Sequence, residues 1–484
     1  MTGTGAAFAA VIATLAIPAG AMLLLAFIPS WRLAARLNAL ASFATVSAAA
    51  VLLFRQPAPD GLFLVDGLNI AFLLLNGLVG FTTSLFSASY IGHEIGTGRL
   101  APHHLRLYHA MYQAMMLGMN LALVSNNLGL MWFGVELATL STVMMVGLYR
   151  TPAAIEASWK YLILGSVGIA LALFGTILVY LAAQPALGGG MKAMQWTGLL
   201  RHAASLDPAL LDVGFVFLLI GYGTKSGLVP MHAWLPDAHA EGPTPISAVL
   251  SGLLLNVALY ALLRFKILLA ASHASIAAGK LMEGFGLATL FFAAIMLYRR
   301  RDIKRLFAYS SIEHMGIITF AFGIGGPIGN LAGLLQMAMH SLTKSAIFFA
   351  VGHVAQAKGT QKIAEIGGLT ASHPFLGWTL AAGIAAIAGL PPFGIFTSEF
   401  LLITSTFARA PLLAVLLGLG ILLAFGALLL RMTGLCFGAP SPGNAPSSAA
   451  AMPQLLHLGI VLAVGIALPG FLYDWFAHAA ALLG

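Results

Sequence analysis

Residues 211–264 read LDVGFVFLLIGYGTKSGLVPMHAWLPDAHAEGPTPISAVLSGLLLNVALYALLR, and the rest of the chain is organised around them. The stretch starts as an apolar helix, admits one lysine, Lys225, and meets Pro230 five residues later. A short loop follows with Trp234, Pro236, Asp237, His239, Glu241, Pro243 and Pro245, and then a second apolar helix. A lysine in an apolar span beside a glycine–proline break is costly to place, which makes it a functional-site candidate.

Composition extends this to the whole chain. Of 484 residues, 60% are hydrophobic and only 8% charged, against roughly 25% charged in soluble proteins. Apolar runs of about 20 residues, each long enough to span a bilayer, recur throughout. The expected fold is therefore all-α and polytopic; a transmembrane barrel would show short alternating segments instead. The opening residues lack a basic n-region, so 7–29 is expected to be a first membrane helix and not a cleaved signal. A net charge of +8 fits basic residues flanking membrane helices, and no nucleic-acid partner is expected. The single cysteine, Cys436, excludes an internal disulfide and a cysteine-ligated iron–sulfur cluster, which needs about four thiolates. No cofactor is expected in this chain.

Fourteen spans are expected, at 7–29, 34–54, 64–90, 109–127, 129–149, 157–183, 211–229, 245–270, 281–298, 306–324, 330–357, 375–403, 411–437 and 453–474. Between them, 191–202 suggests a short interfacial helix anchored by Trp196, and 438–452 a Pro/Ser/Ala-rich linker. Loops after odd-numbered spans hold 14 Lys and Arg, and loops after even-numbered spans hold 7. That bias predicts odd loops in the cytoplasm and both termini on the outer, periplasmic side of the cell's inner membrane. Only Lys225 and Lys344 remain inside spans. Span 7 breaks at KSGLVP and span 12 at LAGLPPFG, in corresponding places if spans 4–8 and 9–13 are inverted five-helix repeats; such paired breaks point to a transport site. The expected organisation is 1–108 (spans 1–3), 109–270 (first repeat), 281–437 (second repeat) and 453–484 (span 14).

Ionisable residues within spans are the site candidates: Glu136 in span 5, Lys225 in span 7, His340 and Lys344 in span 11, and Glu399 just past the break in span 12. Each charge costs at least about 2.5–3.5 kcal/mol at a helix centre. A Glu–Lys pair that can join or separate is a proton-binding switch, because an opposite charge and burial act in opposing senses on each group. His340 and Lys344, four apart, share one helix face and suit a relay. Glu313 and His314, adjacent and expected to point different ways in the outer turns of span 10, are accessory candidates. His232, Asp237 and His239 lack the usual metal-ligand spacing and are expected to form an interfacial polar cluster. Asp66 is expected to cap span 3.

The combination of WFGVELATL, GYGTKSGLVPMHAWLPDAHAEGPTPISAVLSG, RRDIKRLFAYSSIEHMG, MHSLTKSAIFF and GLPPFGIFTSEF resembles the antiporter-like proton-pumping subunits of respiratory complex I, Mrp-type antiporters and membrane-bound [NiFe] hydrogenases. The resemblance covers roughly residues 60–440 and is strongest to the hydrogenase-4, formate-hydrogenlyase type. It implies 14 helices with two inverted five-helix repeats and broken helices 7 and 12. It assigns Glu136 and Lys225 to the pumping pair, His340 and Lys344 to the helix-11 pair, and Glu399 to the helix-12 glutamate. It implies other antiporter-like membrane subunits and a peripheral redox arm as partners, with Fe–S clusters and [NiFe] or quinone held there. Two positions depart: Asn256 stands where a central helix-8 lysine is implied, and Ser251 near an implied helix-8 histidine. Alternative readings are a subunit of complex I, of a cation/proton antiporter or of an inorganic-carbon uptake complex, or a non-pumping scaffold.

Overall fold

The computed structural model describes residues 3–441 and 451–484; most of the expected 438–452 linker lies outside them. The fold is all-helical. Its principal helices are α1 (Gly3–Phe27), α2 (Trp31–Val51), α3 (Gly67–Gly96), α4 (Leu105–Val124), α5 (Leu128–Val146), α6 (Pro152–Leu187), α7 (Pro208–Ser226) and α8 (Trp234–Glu241). They continue with α9 (Thr244–Ala270), α10 (Ala278–Leu297), α11 (Ile303–Ile324), α12 (Gly326–Lys358), α13 (Pro374–Ile387), α14 (Gly394–Arg409), α15 (Pro411–Cys436), α16 (Met452–Ile466) and α17 (Gly470–Ala481). Among the described residues, ten helices are long and apolar enough to cross a bilayer, and α16–α17 form a further pair bent by 85°.

Helix ends follow local chemistry. Asp66 caps α3 in a capping box with Asn69, as expected. Asn127, Thr151, Asp207 and Asp302 cap α5, α6, α7 and α11 through side-chain oxygens. α7 stops at Gly227, whose φ of 76° closes the helix in the left-handed region. Both expected interruptions are present: residues 227–233 separate α7 from α8, and 388–393 separate α13 from α14.

Burial ranks the helices. The most apolar stretches of α9 and α12 are 100% and 94% buried, against 28–39% for α1, α2, α6 and α15. α9 and α12 therefore form the axis, and the outer helices present apolar surface outward. Small residues set the closest crossings. A Cβ on Gly118 (α4) would lie 2.6 Å from the Gly134 carbonyl oxygen (α5), and one on Gly286 (α10) 2.7 Å from that of Gly316 (α11). Trp196 departs from expectation. It opens a six-residue helix, Trp196–Arg201, and its ring is buried, with Nε1 donating to the Arg264 carbonyl at 2.9 Å.

Candidate functional site

The α7–α8 interruption delivers Lys225 to the interior. Lys225 is fully buried in the last turn of α7. Trp234, first residue of α8, turns back and donates from Nε1 to the Thr224 carbonyl at 2.9 Å, holding that turn. Its ring stacks on Tyr161 of α6 at 4.2 Å, and the Tyr161 hydroxyl bonds Thr142 at 2.8 Å. Lys225 Nζ lies 5.7 Å from the Tyr161 ring centre, and a Cβ on Gly165 would come within 2.7 Å of it, so a glycine there makes room for the ammonium. Glu136 Oε2 is 3.9 Å from Nζ. Neither atom has a hydrogen-bond partner among the described residues. The expected pair is thus brought together as a loose ion pair without a hydrogen bond.

A second group gathers around α12. His340 and Lys344 are both fully buried. Lys344 Nζ donates to the Phe307 carbonyl of α11 at 3.1 Å and sits over the Phe307 ring. The His340 ring stacks on His314 with centroids 5.4 Å apart. Glu313 and His314 correct the sequence reading. They lie mid-helix in α11, both buried, and His314 Nδ1 is 2.6 Å from Glu313 Oε2, so the side chains meet instead of diverging. Adjacent helix positions diverge at Cβ, but a glutamate is long enough to swing back when its neighbourhood is dry. Glu313 interacts electrostatically with both Lys344 and Glu399. Glu399 is buried on α14; it accepts from Gln336 at 3.4 Å, and its carboxylate fills the space that a side chain at Gly389 would take.

Between the two groups lies α9, at the level of Asn256. Its Nδ2 donates to Ser341 Oγ at 2.7 Å and to the Met337 carbonyl at 3.2 Å, which ties α9 to α12. A π-helical turn, Leu250–Leu254, precedes it. Within that turn Ser251 Oγ is 2.6 Å from Ser311 Oγ of α11. Ser311 in turn donates to the Phe307 carbonyl at 3.0 Å, the same oxygen that Lys344 uses. Ser311 and Lys344 thus donate to the same carbonyl, which seats the serine pair of α9 and α11 beside the Lys344 ammonium. On the other side, Ser226, next to Lys225, donates to the Leu255 carbonyl of α9 at 3.4 Å.

The accessory triad does not converge. Asp237 belongs to an ion-pair cluster, 2.6 Å from Arg305 Nη1 and 3.1 Å from Lys160 Nζ. His232 packs its ring on Phe292. His239 is fully buried, stacked on Phe348 at 4.9 Å, and interacts electrostatically with Lys304 and Lys344; it lies near the axis and not in an interfacial cluster. His103 is exposed.

The loop count places Lys304 and Arg264 in loops, and Glu94 is not among the sequence candidates; the structure buries all three. Lys304 is buried and donates to the Ala240 and Gly242 carbonyls at 3.0 and 2.5 Å, pinning the end of α8. Arg264 is buried and makes a two-pronged pair with Asp66 at 2.7 and 2.8 Å. Glu94, buried at the end of α3, accepts from Tyr149 at 3.1 Å and Gln356 at 2.8 Å on the wall of a cavity of about 440 Å³. Lys304 and Glu94 sit in the terminal turns of α11 and α3, where a charge reads as solvated, and Arg264 lies inside α9; partners on distant segments meet all three.

A helical membrane bundle, interrupted twice, with a line of lysine, histidine and carboxylate side chains through its interior is the architecture of antiporter-like membrane subunits. The family described as "NADH:quinone oxidoreductase/Mrp antiporter, TM" matches residues 125–424, and the chain belongs to it. A "Hydrogenase-4 component F homolog" of Methylacidiphilum infernorum is 60% identical over 462 residues, covering 96% of this chain and 97% of that one. An NADH-quinone oxidoreductase subunit M of Pseudomonas aeruginosa is 28% identical over 410 residues, or 82% of this chain and 77% of that one. Among solved structures, a chain of an archaeal membrane-bound sulfane sulfur reductase superposes with TM-score 0.87 at 22% identity, covering 98% and 97% of the two chains. A chain of the Mrp complex from a Dietzia species gives 0.83 at 20% identity, covering 100% and 98%. One from Thermus thermophilus respiratory complex I gives 0.81 at 24% identity, covering 98% and 100%. The chain is an antiporter-like membrane subunit of the hydrogenase/complex I family, multi-pass in the membrane.

Proposed function

We propose that this chain translocates protons as a membrane subunit of a redox-driven complex of the hydrogenase-4, formate-hydrogenlyase type. The observation that carries the reading is the interior row of ionisable groups drawn from α5, α7, α11, α12 and α14: Glu136, Lys225, Lys344, His340, His314, Glu313 and Glu399. Isolated charges so placed are expensive, and a set of them supports a proton route more than a scaffold. The relative at 60% identity supports the hydrogenase type over the alternatives.

In this mechanism a change in a neighbouring membrane subunit alters the field at Glu136. Glu136 moves toward or away from Lys225, and the ammonium takes up or releases its proton. The proton crosses α9 over water beside the hydroxyls of Ser251 and Ser311 and reaches Lys344, the Phe307 carbonyl serving only to seat Ser311 and Lys344 side by side. It then passes by His340, His314 and Glu313 to Glu399. Electron transfer takes place in a peripheral redox arm, whose subunits hold the Fe–S clusters and the [NiFe] centre or quinone. We assign residues 109–270 and 281–437 to two inverted repeats; the matching glycine crossings of α4 with α5 and α10 with α11 support this. We place the chain in the inner (plasma) membrane with both termini on the outer side, as its loop charges favour.

The test is reconstitution of the intact complex with Glu136→Ala or Lys225→Ala. Proton uptake per redox turnover is expected to collapse while assembly and redox turnover persist. Unchanged pumping in assembled variants rejects the mechanism.

A further inference from the structure

Five cations converge on one end of the bundle. Arg299, Arg300 and Arg301 lie in the turn between α10 and α11, Lys362 in the connection after α12, and Arg431 near the end of α15. With Tyr298 they line a cavity of about 500 Å³ whose lining residues include no carboxylate. Glu365 reaches the cluster and pairs with Lys362 at 3.0 Å, while Asp302 caps α11 by accepting from the Arg305 amide.

The cations are set in a built frame. The Ile303 amide donates to the Gln361 carbonyl at 2.9 Å and the Ile363 amide to that of Arg301 at 2.8 Å, which stitches the connection to the arginine turn. Arg431 Nη2 donates to the Tyr298 carbonyl at 2.5 Å. Its Nε is buried with no acceptor among the described residues. Below the cavity, Ile295 of α10 and Leu422 and Leu430 of α15 are each more than half exposed. The Tyr298 hydroxyl donates to the Leu423 carbonyl at 3.0 Å and joins the two helices at that mouth.

We propose that this cavity holds the headgroup of an anionic phospholipid, with its acyl chains along the apolar groove between α10 and α15. Arginines that only set orientation need no cavity and no fixed frame. A headgroup phosphate supplies the negative charge that the lining lacks, and the apolar wall suits a lipid over a free anion. Basic pockets at helix ends hold anionic headgroups in this way, each Lys or Arg contributing about 1 kcal/mol of attraction, which is about fivefold in affinity.

The experiment is native mass spectrometry of the full-length chain in neutral detergent. It is titrated with phosphatidylglycerol, with phosphatidylcholine of the same acyl chains, and with inorganic phosphate. The expected result is selective retention of phosphatidylglycerol. Arg299→Gln, at an exposed side chain, is expected to weaken retention about fivefold, and Arg299→Gln with Arg431→Gln roughly 25-fold. Lys192→Gln with Arg201→Gln, in the 188–207 connection, is expected to leave it unchanged. Equal retention of the two lipids, displacement of the lipid by inorganic phosphate at matching concentration, or full retention in the folded arginine variants each overturns the proposal.

Discussion

Replacing Ser251 and Ser311 with alanine tests the proposed proton crossing of α9 beside Asn256, a position without an ionisable side chain. The hydroxyls are 2.6 Å apart, and Ser311 shares the Phe307 carbonyl with Lys344. Ser251→Ala leaves Ser311 bonded to that carbonyl and costs about 1 kcal/mol, one ordinary hydrogen bond. Ser311→Ala leaves the buried Ser251 hydroxyl without its partner and costs about 1–3 kcal/mol. The double variant removes both ends of the bond and is expected to cost less than the sum of the singles. Stability thus stays within reach of a normal fold, while the hydroxyl link from α9 to the shared acceptor is lost. The assay is proton uptake into vesicles carrying the intact complex, divided by redox turnover in the same preparation. We expect a fall of tenfold or more in that ratio for the double variant, with redox turnover and assembly retained. A folded double variant that pumps at the wild-type ratio would falsify the serine route and shift the crossing to another part of α9.

Three further predictions follow the same logic. Asp66→Asn keeps the cap but leaves the Arg264 guanidinium unpaired in the interior, and is expected to cost about 3–5 kcal/mol; Asp66→Asn with Arg264→Met recovers most of it. Chemical denaturation in detergent measures both, and a single variant within about 1 kcal/mol of wild type contradicts the account. Gly165→Ala places a methyl group 2.7 Å from Lys225 Nζ, so it is expected to cost about 1–3 kcal/mol and to lower the pumping ratio. Gly284→Ala, with nothing within 4 Å, is the neutral control. Lys304→Met removes the donor to the Ala240 and Gly242 carbonyls and is expected to speed amide hydrogen exchange across 234–244; unchanged protection there rejects the pinning role.

Much of this protein was legible in its order of residues. Apolar runs separated by basic loops specify a helical membrane bundle, because a bilayer leaves the backbone no other way to satisfy its hydrogen bonds along most of the chain. Breaks at Gly227 and around Pro391 were visible for the same local reason: glycine and proline end helices wherever they are placed. The pair of Glu136 and Lys225 could be named because charges are rare in such runs. What the order of residues left open was every relation between distant segments. Lys304 and Glu94 look solvated in sequence, since each sits at a helix end, and Arg264 counts among the loop charges; it is the packing of α8, α3 and α12 that gives them buried partners. Ser251 stands out only as a departure from an implied histidine, and Ser311, 60 positions away, carries no signal of its own; serine hydroxyls in helices are commonly satisfied by their own backbone. Only the π-helical turn in α9 and the seating of α11 bring the two hydroxyls together beneath Lys344. Composition and periodicity therefore determined the bundle and its ionisable residues, while the tertiary structure decided which of those residues meet. Contact between side chains depends on helix rotation and crossing, and no local pattern encodes either.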